Sequence, residues 1–425
     1  MTMLRSALSL LLVSVVPVQA QAGRDWTVWG GDAGALKYST LTTIDRGNVQ
    51  QLEAAWSWEP GEAAVPGPRQ PVPGEEVRPG NFETTPLVIN DTMYLSTPYN
   101  RVVALDANTG EEIWDYDPET VEWGQPPNGT GFVHRGIAIW TGDDGSRRVF
   151  LNTRWRLIAL DARTGEPIRS FGEDGEIDLT EKLVWPTNRL HYTQTSPPVI
   201  YKDLVILGNG VWDGFVYEQD PPGNVQAFDV HSGELVWSFN LIPQAGEFGH
   251  ESWEDDAWRY TGHTNAWAPM TVDIERGLLY VPVGTPSNDY YGGRRKGDGL
   301  FAESIVCLDA DTGERVWHFQ TVHHGLWDYD LPAPPNLVTI RVDGRTIDAV
   351  TALSKAGFTY VFDRVTGEPV WPIVERPVPQ SDVPGEQTSL TQPIPTKPAP
   401  FAKVGFSEED VVDFTPELHA LARKE

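Results

Sequence analysis

The sequence predicts an all-β protein, a β-propeller built from four-stranded blades. Three observations carry that reading: one motif recurs five times, apolar residues alternate within each copy, and turn-forming residues and tryptophans are abundant. The copies are VVALDANTGEEIW, LIALDARTGEPIR, VQAFDVHSGELVW, IVCLDADTGERVW and TYVFDRVTGEPVW, with aspartates at Asp106, Asp161, Asp229, Asp309 and Asp363. They lie roughly 55 to 80 residues apart, enough for four short strands and their loops.

Each copy reads as a strand, a tight turn at Asp-x-x-Thr/Ser-Gly, and a second strand ending in an aromatic residue. Gly110, Gly165, Gly233, Gly313 and Gly367 supply the position needing positive φ, and the short Asp, Ser and Thr side chains bond the turn backbone. Segments between the copies, such as TPLVINDTMYLST, PPVIYKDLVILG and GLLYVPVG, complete about four strands per unit. Trp114, Trp237, Trp317 and Trp371 are expected to pack blade against blade, and Arg169, which ends the second copy, predicts a looser junction.

At the N-terminus, Arg5, an apolar run from Leu8 to Val18 and the small-residue ending at Ala20 mark residues 1–20 as a signal peptide for the periplasm or exterior. The run is too short to span a bilayer. Residues 21–371 carry the blades. Residues 372–425 form a proline-rich connection, which cannot form ladders along its whole length, and a short helical segment capped by Ser407 with Asp410 and opened by Pro416. No later strand is available to pair with residues 52–58, so the ring is expected to be open.

Composition narrows the function. A formal net charge of -28 excludes a nucleic-acid binder, which needs clustered Lys and Arg. Cys307 is the single cysteine, which rules out an internal disulfide and a CxxCH haem attachment. Chemistry is expected in the loops between repeats. These carry Asp213, then Thr285, Ser287, Asn288 and Asp289, then His323, His324, Asp328 and Asp330. Hard oxygen donors near a propeller axis suit calcium better than zinc. The repeats by themselves also suit a non-catalytic periplasmic scaffold or binding protein.

The segments WTVWGGDAGALKYSTL, NFETTPLVI, ESWEDDAW, GHTNAWAPM, HFQTVHHGLWDYDLPAPPNL and TQPIPTKPAPF make the chain resemble the PQQ-dependent quinoprotein dehydrogenases from Trp26 to about Phe406. The last two segments, and Gly129-Thr130 where alcohol-oxidising members carry adjacent cysteines, look more like the membrane glucose dehydrogenase branch. The resemblance implies an eight-bladed ring of which this chain carries part, and an inactive fragment of such an enzyme is the further alternative.

What it implies for the site is specific. Asp328 falls on the base that takes the substrate hydroxyl proton. Glu83, Arg135, Thr195, Trp267 and Lys355 fall on cofactor-binding positions, with Trp267 under the quinone rings and Lys355 beside a quinone carbonyl. Asp213 falls on a metal carboxylate, Thr285 stands where the family has a metal-binding asparagine, and Asn288 is close enough to replace it; Asp328 also belongs to this metal set. Gly210 stands where the methanol type has a cofactor-binding serine. The implied cofactors are pyrroloquinoline quinone (PQQ) and calcium, with another divalent or trivalent cation as alternative; Asp330 is the acid that would favour the trivalent one. The implied reaction is oxidation of an aldose, polyol or other alcohol, with electrons passed to a separate acceptor such as a cytochrome or a membrane quinone.

Overall fold

A computed structural model describes residues 25–67, 76–126, 131–211 and 217–424. Residues 1–20, expected to be a signal peptide, Asp213 and Gly129-Thr130 lie outside the described residues. Five antiparallel blade sheets follow one another along the chain. Blade I comprises Leu87–Ile89, Thr92–Ser96, Val102–Asp106 and Glu112–Tyr116. Blade II comprises Ala138–Thr141, Arg147–Thr153, Arg156–Asp161 and Glu176–Asp178. Blade III is Val199–Tyr201, Leu204–Leu207, Val225–Asp229 and Leu235–Phe239; blade IV is Thr271–Asp273, Leu278–Pro282, Ser304–Asp309 and Arg315–Gln320. Blade V has three strands, Asn336–Val342, Arg345–Leu353 and Thr359–Asp363.

The five motif copies build one turn five times. In the first, the Asp106 carboxylate accepts the Asn108 and Thr109 N–H groups at 2.8 and 2.9 Å, and the Gly110 N–H closes onto the Asp106 carbonyl at 2.8 Å. Gly110 sits at φ 75°, where a side chain is strained. A Cβ there would also strike the Trp56 ring at 2.6 Å.

That contact reveals what the tryptophans do. Trp114 lies against Gly165, Trp237 against Gly313 and Trp317 against Gly367, so each indole covers the turn of the next blade. The indole N–H donates to the carbonyl just after the next turn aspartate, on Ala162, Ala310 and Arg364, at 3.1 to 3.2 Å. Trp56 does the same to Ala107. Residues 52–58, expected to lack a partner, therefore still seat on blade I through Trp56 although they form no strand.

At Arg169 the junction is rebuilt. The backbone of Gly172 and the side chain of Ile177 fill the space over Gly233. Trp140, from the first strand of blade II, reaches blade III instead. Its ring meets His231 edge to face at 4.9 Å and its N–H donates to Asp203 at 3.1 Å. A cavity of about 1070 Å³ lined by Arg156, Glu176, Asp178 and Arg189 lies at this junction.

The apolar core is likewise shared between neighbours. One cluster joins blades I and II through Val102, Ala104, Val149 and Leu160; another joins III and IV through Ile206, Val225, Leu279 and Val306. Blade V packs on IV through Tyr280, Cys307, Val350 and Phe362. Burial between sheets is what orders the blades, since each sheet has two faces to cover.

After blade V the proline-rich connection pairs its two ends as a ladder, Ile373–Pro377 with Thr391–Pro395, around an excursion of residues 378–390. The paired ends go beyond the expected irregular connection: a two-stranded ribbon has outward edges, where proline's missing N–H removes no partner. The Ser407 and Asp410 capping box forms, and Thr415 caps Pro416–Ala422, as the sequence predicts.

Candidate active site

Register places the turn and the site at opposite ends of each blade. In blade V, Asp363 pairs with Ala349 at one end, while Leu353 pairs with Thr359 at the other and leads into Lys355. In blade IV, Leu278 pairs with Asp309, and Pro282 at the far end leads into Thr285. Arg135 and Thr195 enter blades II and III from that same end. Four blades thus deliver Arg135, Thr195, Trp267, Thr285, Asp328 and Lys355 to one cavity of about 220 Å³.

Trp267 forms one wall and is fixed at both ends. Its carbonyl accepts the Thr195 and Ser196 hydroxyls at 2.9 and 2.7 Å. Its indole N–H donates to Asp330 at 3.0 Å. Arg135 and Lys355 lie 5.3 and 5.6 Å from the ring centroid, within cation–π range. Arg135 also donates to the Thr195 carbonyl at 3.1 Å and pairs with Glu83 at 3.5 Å. Glu83 stands behind Arg135, outside the cavity lining.

Lys355 joins the two carboxylates of the WDYD segment, 2.8 Å from both Asp328 and Asp330. Burial pushes the Asp328 carboxyl up, Asp330 adds to this, and Lys355 opposes it; the net direction is upward. Burial pulls the Lys355 ammonium down, but the two carboxylates outweigh it and it stays charged. Asp330 is fully engaged: besides Lys355 and Trp267, it accepts the Thr285 N–H at 2.6 Å. Its carboxylate orders three cavity residues at once.

The expected metal set is not assembled from the described residues. Among them, no cluster of three or more His, Cys, Asp or Glu is placed to hold an ion. Asp213 lies outside them. Thr285 lines the cavity, but its hydroxyl turns away to Glu303 at 3.1 Å. Asn288 lines a neighbouring cavity of about 630 Å³ and accepts the Tyr290 N–H at 3.0 Å. Thr285 and Asn288 line different cavities, which sequence proximity does not reveal. Lys355 supplies the cation between Asp328 and Asp330 that the carboxylates require.

Several residues here had no role in the sequence reading. Glu303 is fully buried beneath Thr285, and burial pushes its carboxyl up to about 8 while Arg295 pulls it down. His263 and Asn265, from the same GHTNAW segment as Trp267, line the cavity. Behind His263, 3.5 Å away, the buried Asp220 is pushed up to about 7 by desolvation. The GHTNAW segment was the available signal for His263 and Asn265. Glu303, one residue before an apolar strand, offers none.

The cavity fits PQQ in its chemistry: a flat indole wall, two cations for an anionic heterocycle, and buried hydrogen-bonding groups at its edge. A family model described as PQQ: Glucose/ethanol/alcohol dehydrogenase, beta-propeller domain, matches residues 26–425. The chain is 35% identical over 382 residues to the quinoprotein glucose dehydrogenase of Escherichia coli (strain K12), a match covering 88% of this chain and 46% of that protein. It is 32% identical over 443 residues to the quinate/shikimate dehydrogenase (quinone) of Acinetobacter baylyi, covering 98% of this chain and 52% of that one. The crystal structure of the quinohemoprotein alcohol dehydrogenase from Comamonas testosteroni superposes with a TM-score of 0.68 at 28% identity, over 87% of this chain and 52% of that one. The chain spans about half the length of the curated relatives it matches. By its family model, its relatives and its fold, the chain belongs to the PQQ-dependent quinoprotein dehydrogenases.

Proposed function

We propose that this chain holds PQQ in the cavity between blades II and V and serves the oxidation of a CH–OH group in an aldose, polyol or other alcohol. The observation that carries the reading is the convergence of Asp328, Lys355, Trp267, Arg135 and Thr195, from four blades, on one cavity. PQQ, when bound, supplies the electron sink that accepts a hydride from the substrate carbon.

The chain's own residues do the rest. Trp267 offers a flat face against which a planar ring would stack, and Arg135 and Thr195 would hold its polar edge, with Glu83 steadying Arg135. Asp328 takes the substrate hydroxyl proton. Its raised proton affinity makes it a stronger base than an ordinary carboxylate, and partial exposure leaves it reachable. Lys355 offsets negative charge that develops beside it.

Relatives named for glucose, quinate and glycerol share this family, so the substrate is assigned to the class of hydroxyl compounds, with the glucose-like branch as the first to assay. Calcium enters the reading through the family and the hard oxygen donors around Asp328, with Asp213 as its second carboxylate; no step depends on it. A periplasmic site of action, from residues 1–20, and a cytochrome or membrane quinone as electron acceptor complete the proposal.

The test is titration of PQQ, with and without calcium, into the purified chain. A saturable red shift of the quinone absorbance is expected, with affinity weakened about five- to 150-fold in Trp267→Ala, since one stacked aromatic contributes about 1–3 kcal/mol. Absence of saturable binding under both conditions would end the reading.

A further inference from the structure

We propose that the proline-rich connection is a strap that sets the backbone carrying Asp328, and that Glu386 is a positioning residue acting through His324. The inference rests on the reading of Asp328 as the base.

The segment from His323 to Asp330 is held in an uncommon shape. His324 and Asp328 both have left-handed backbones, at φ 47° and 53°. Residues other than glycine keep such angles only where their surroundings over-determine them. At the far end, Asp330 is tied to Lys355, Trp267 and Thr285. Between the ends, Trp327 is 69% exposed and Arg295 donates to the Gly325 carbonyl at 2.6 Å, and the near end supplies a further restraint.

That restraint comes from the connection after blade V. Gln392 grips the backbone of His323 on both sides, accepting its N–H at 2.8 Å and donating to its carbonyl at 2.7 Å. The His323 ring reaches Gln320 at 2.7 Å and Glu375 at 3.2 Å. Next to it, the His324 ring is buried between two acceptors, the Gly297 carbonyl and the Glu386 carboxylate, each at 2.9 Å. Each ring nitrogen thus faces an acceptor, and the ring is held at both ends. The Glu386 side chain is 3% exposed, and its second oxygen accepts the Gly292 N–H at 2.7 Å. Tyr291 adds a hydrogen bond to the Pro384 carbonyl at 3.2 Å.

Neither Glu386 nor Gln392 lines the cavity. They act on it through the backbone, four and five residues before Asp328. The excursion of residues 378–390 thus clips the WDYD segment to the loop that follows Thr285.

Two variants test the strap by hydrogen exchange on the full chain and by kinetics with PQQ bound. Glu386→Ala strands the His324 and Gly292 N–H groups. Amides of residues 323–329 should then exchange at least about tenfold faster. With PQQ, kcat should fall by about ten- to a hundredfold and KM should change less than about twofold, the pattern of a misplaced base. Glu386→Gln can accept from Gly292 and donate to a neutral His324 ring. It should return both readouts to within about twofold of the parent.

Should Glu386→Ala fail to fold, Gln392→Leu releases His323 from the same strap and should give the same pattern. Unchanged exchange at 323–329 in both variants overturns the strap. Faster exchange with unchanged kcat overturns the positioning role. If the parent chain binds PQQ but turns over no alcohol, the reading of Asp328 fails, while exchange still decides whether the strap holds the segment.

Discussion

The turn end of blades I and III and the cavity end of the propeller treat their carboxylates in opposite ways. At the turn end, the Asn108 and Thr109 N–H groups hold the exposed Asp106 carboxyl below its ordinary range. Burial pushes Asp229 up, but the N–H groups and hydroxyl of its turn outweigh it, and the net direction is down. At the cavity end, burial pushes Asp328, Glu303 and Asp220 up. One end satisfies its charges and repeats itself five times. The other keeps carboxylates partly unsatisfied and repeats nothing, as a reactive site requires. The difference separates what holds the propeller together from what it does.

The largest expected effect breaks the site and leaves the fold. Asp328→Asn should lower turnover by about 10²- to 10⁴-fold, with PQQ affinity and thermal stability little changed. Steady-state kinetics beside a thermal melt decide it. An equal loss of stability would mean that Asp328 is structural.

The converse variant is Trp237→Ala, which removes the indole over the Gly313 turn and its bond to Ala310. It should cost about 3–5 kcal/mol in denaturant unfolding and leave PQQ affinity within about twofold. A large change in affinity would couple the two ends.

Stability against pH sharpens the contrast. Asp220 keeps its proton up to about 7 in the folded chain and releases it near 3.9 when unfolded. Its contribution is therefore fully present below the unfolded value and is lost as pH rises towards 7. Comparing urea melts of the parent and Asp220→Asn at pH 4, 5.5 and 7 should show the variant's advantage growing across that window, to about 2–4 kcal/mol. A constant difference would place the carboxylate in water.

The smallest effect concerns the base itself. Lys355 pulls the Asp328 proton affinity down. In Lys355→Met, the acidic limb of the kcat/KM profile should move to higher pH. A shift to lower pH would contradict the contact.

The blades were legible because their cause is local: five copies of one turn place the same donors around the same aspartate, and alternation marks the strands on either side. Trp140 was not legible as a substitute for the tryptophan missing at Arg169, because it comes from the other edge of its sheet. At the site, Asp328, Lys355, Trp267, Arg135, Thr195 and Thr285, each singled out by its family-like context, line one cavity. Asn288 lines a different one. Glu386 and Gln392 lie more than 60 residues beyond the histidines they hold, and nothing in their own surroundings announces a partner.

Each indole reaches forward along the chain and never back, from one blade to the carbonyl of the next. The junction is thus polar, with unlike surfaces meeting head to tail. A contact of that kind sets no limit on how many units it can join; the rotation added at each step does. Gain or loss of a whole blade is therefore the rearrangement such an architecture accommodates most readily, whereas a single residue inserted between a turn aspartate and its glycine breaks the seat for the tryptophan behind it.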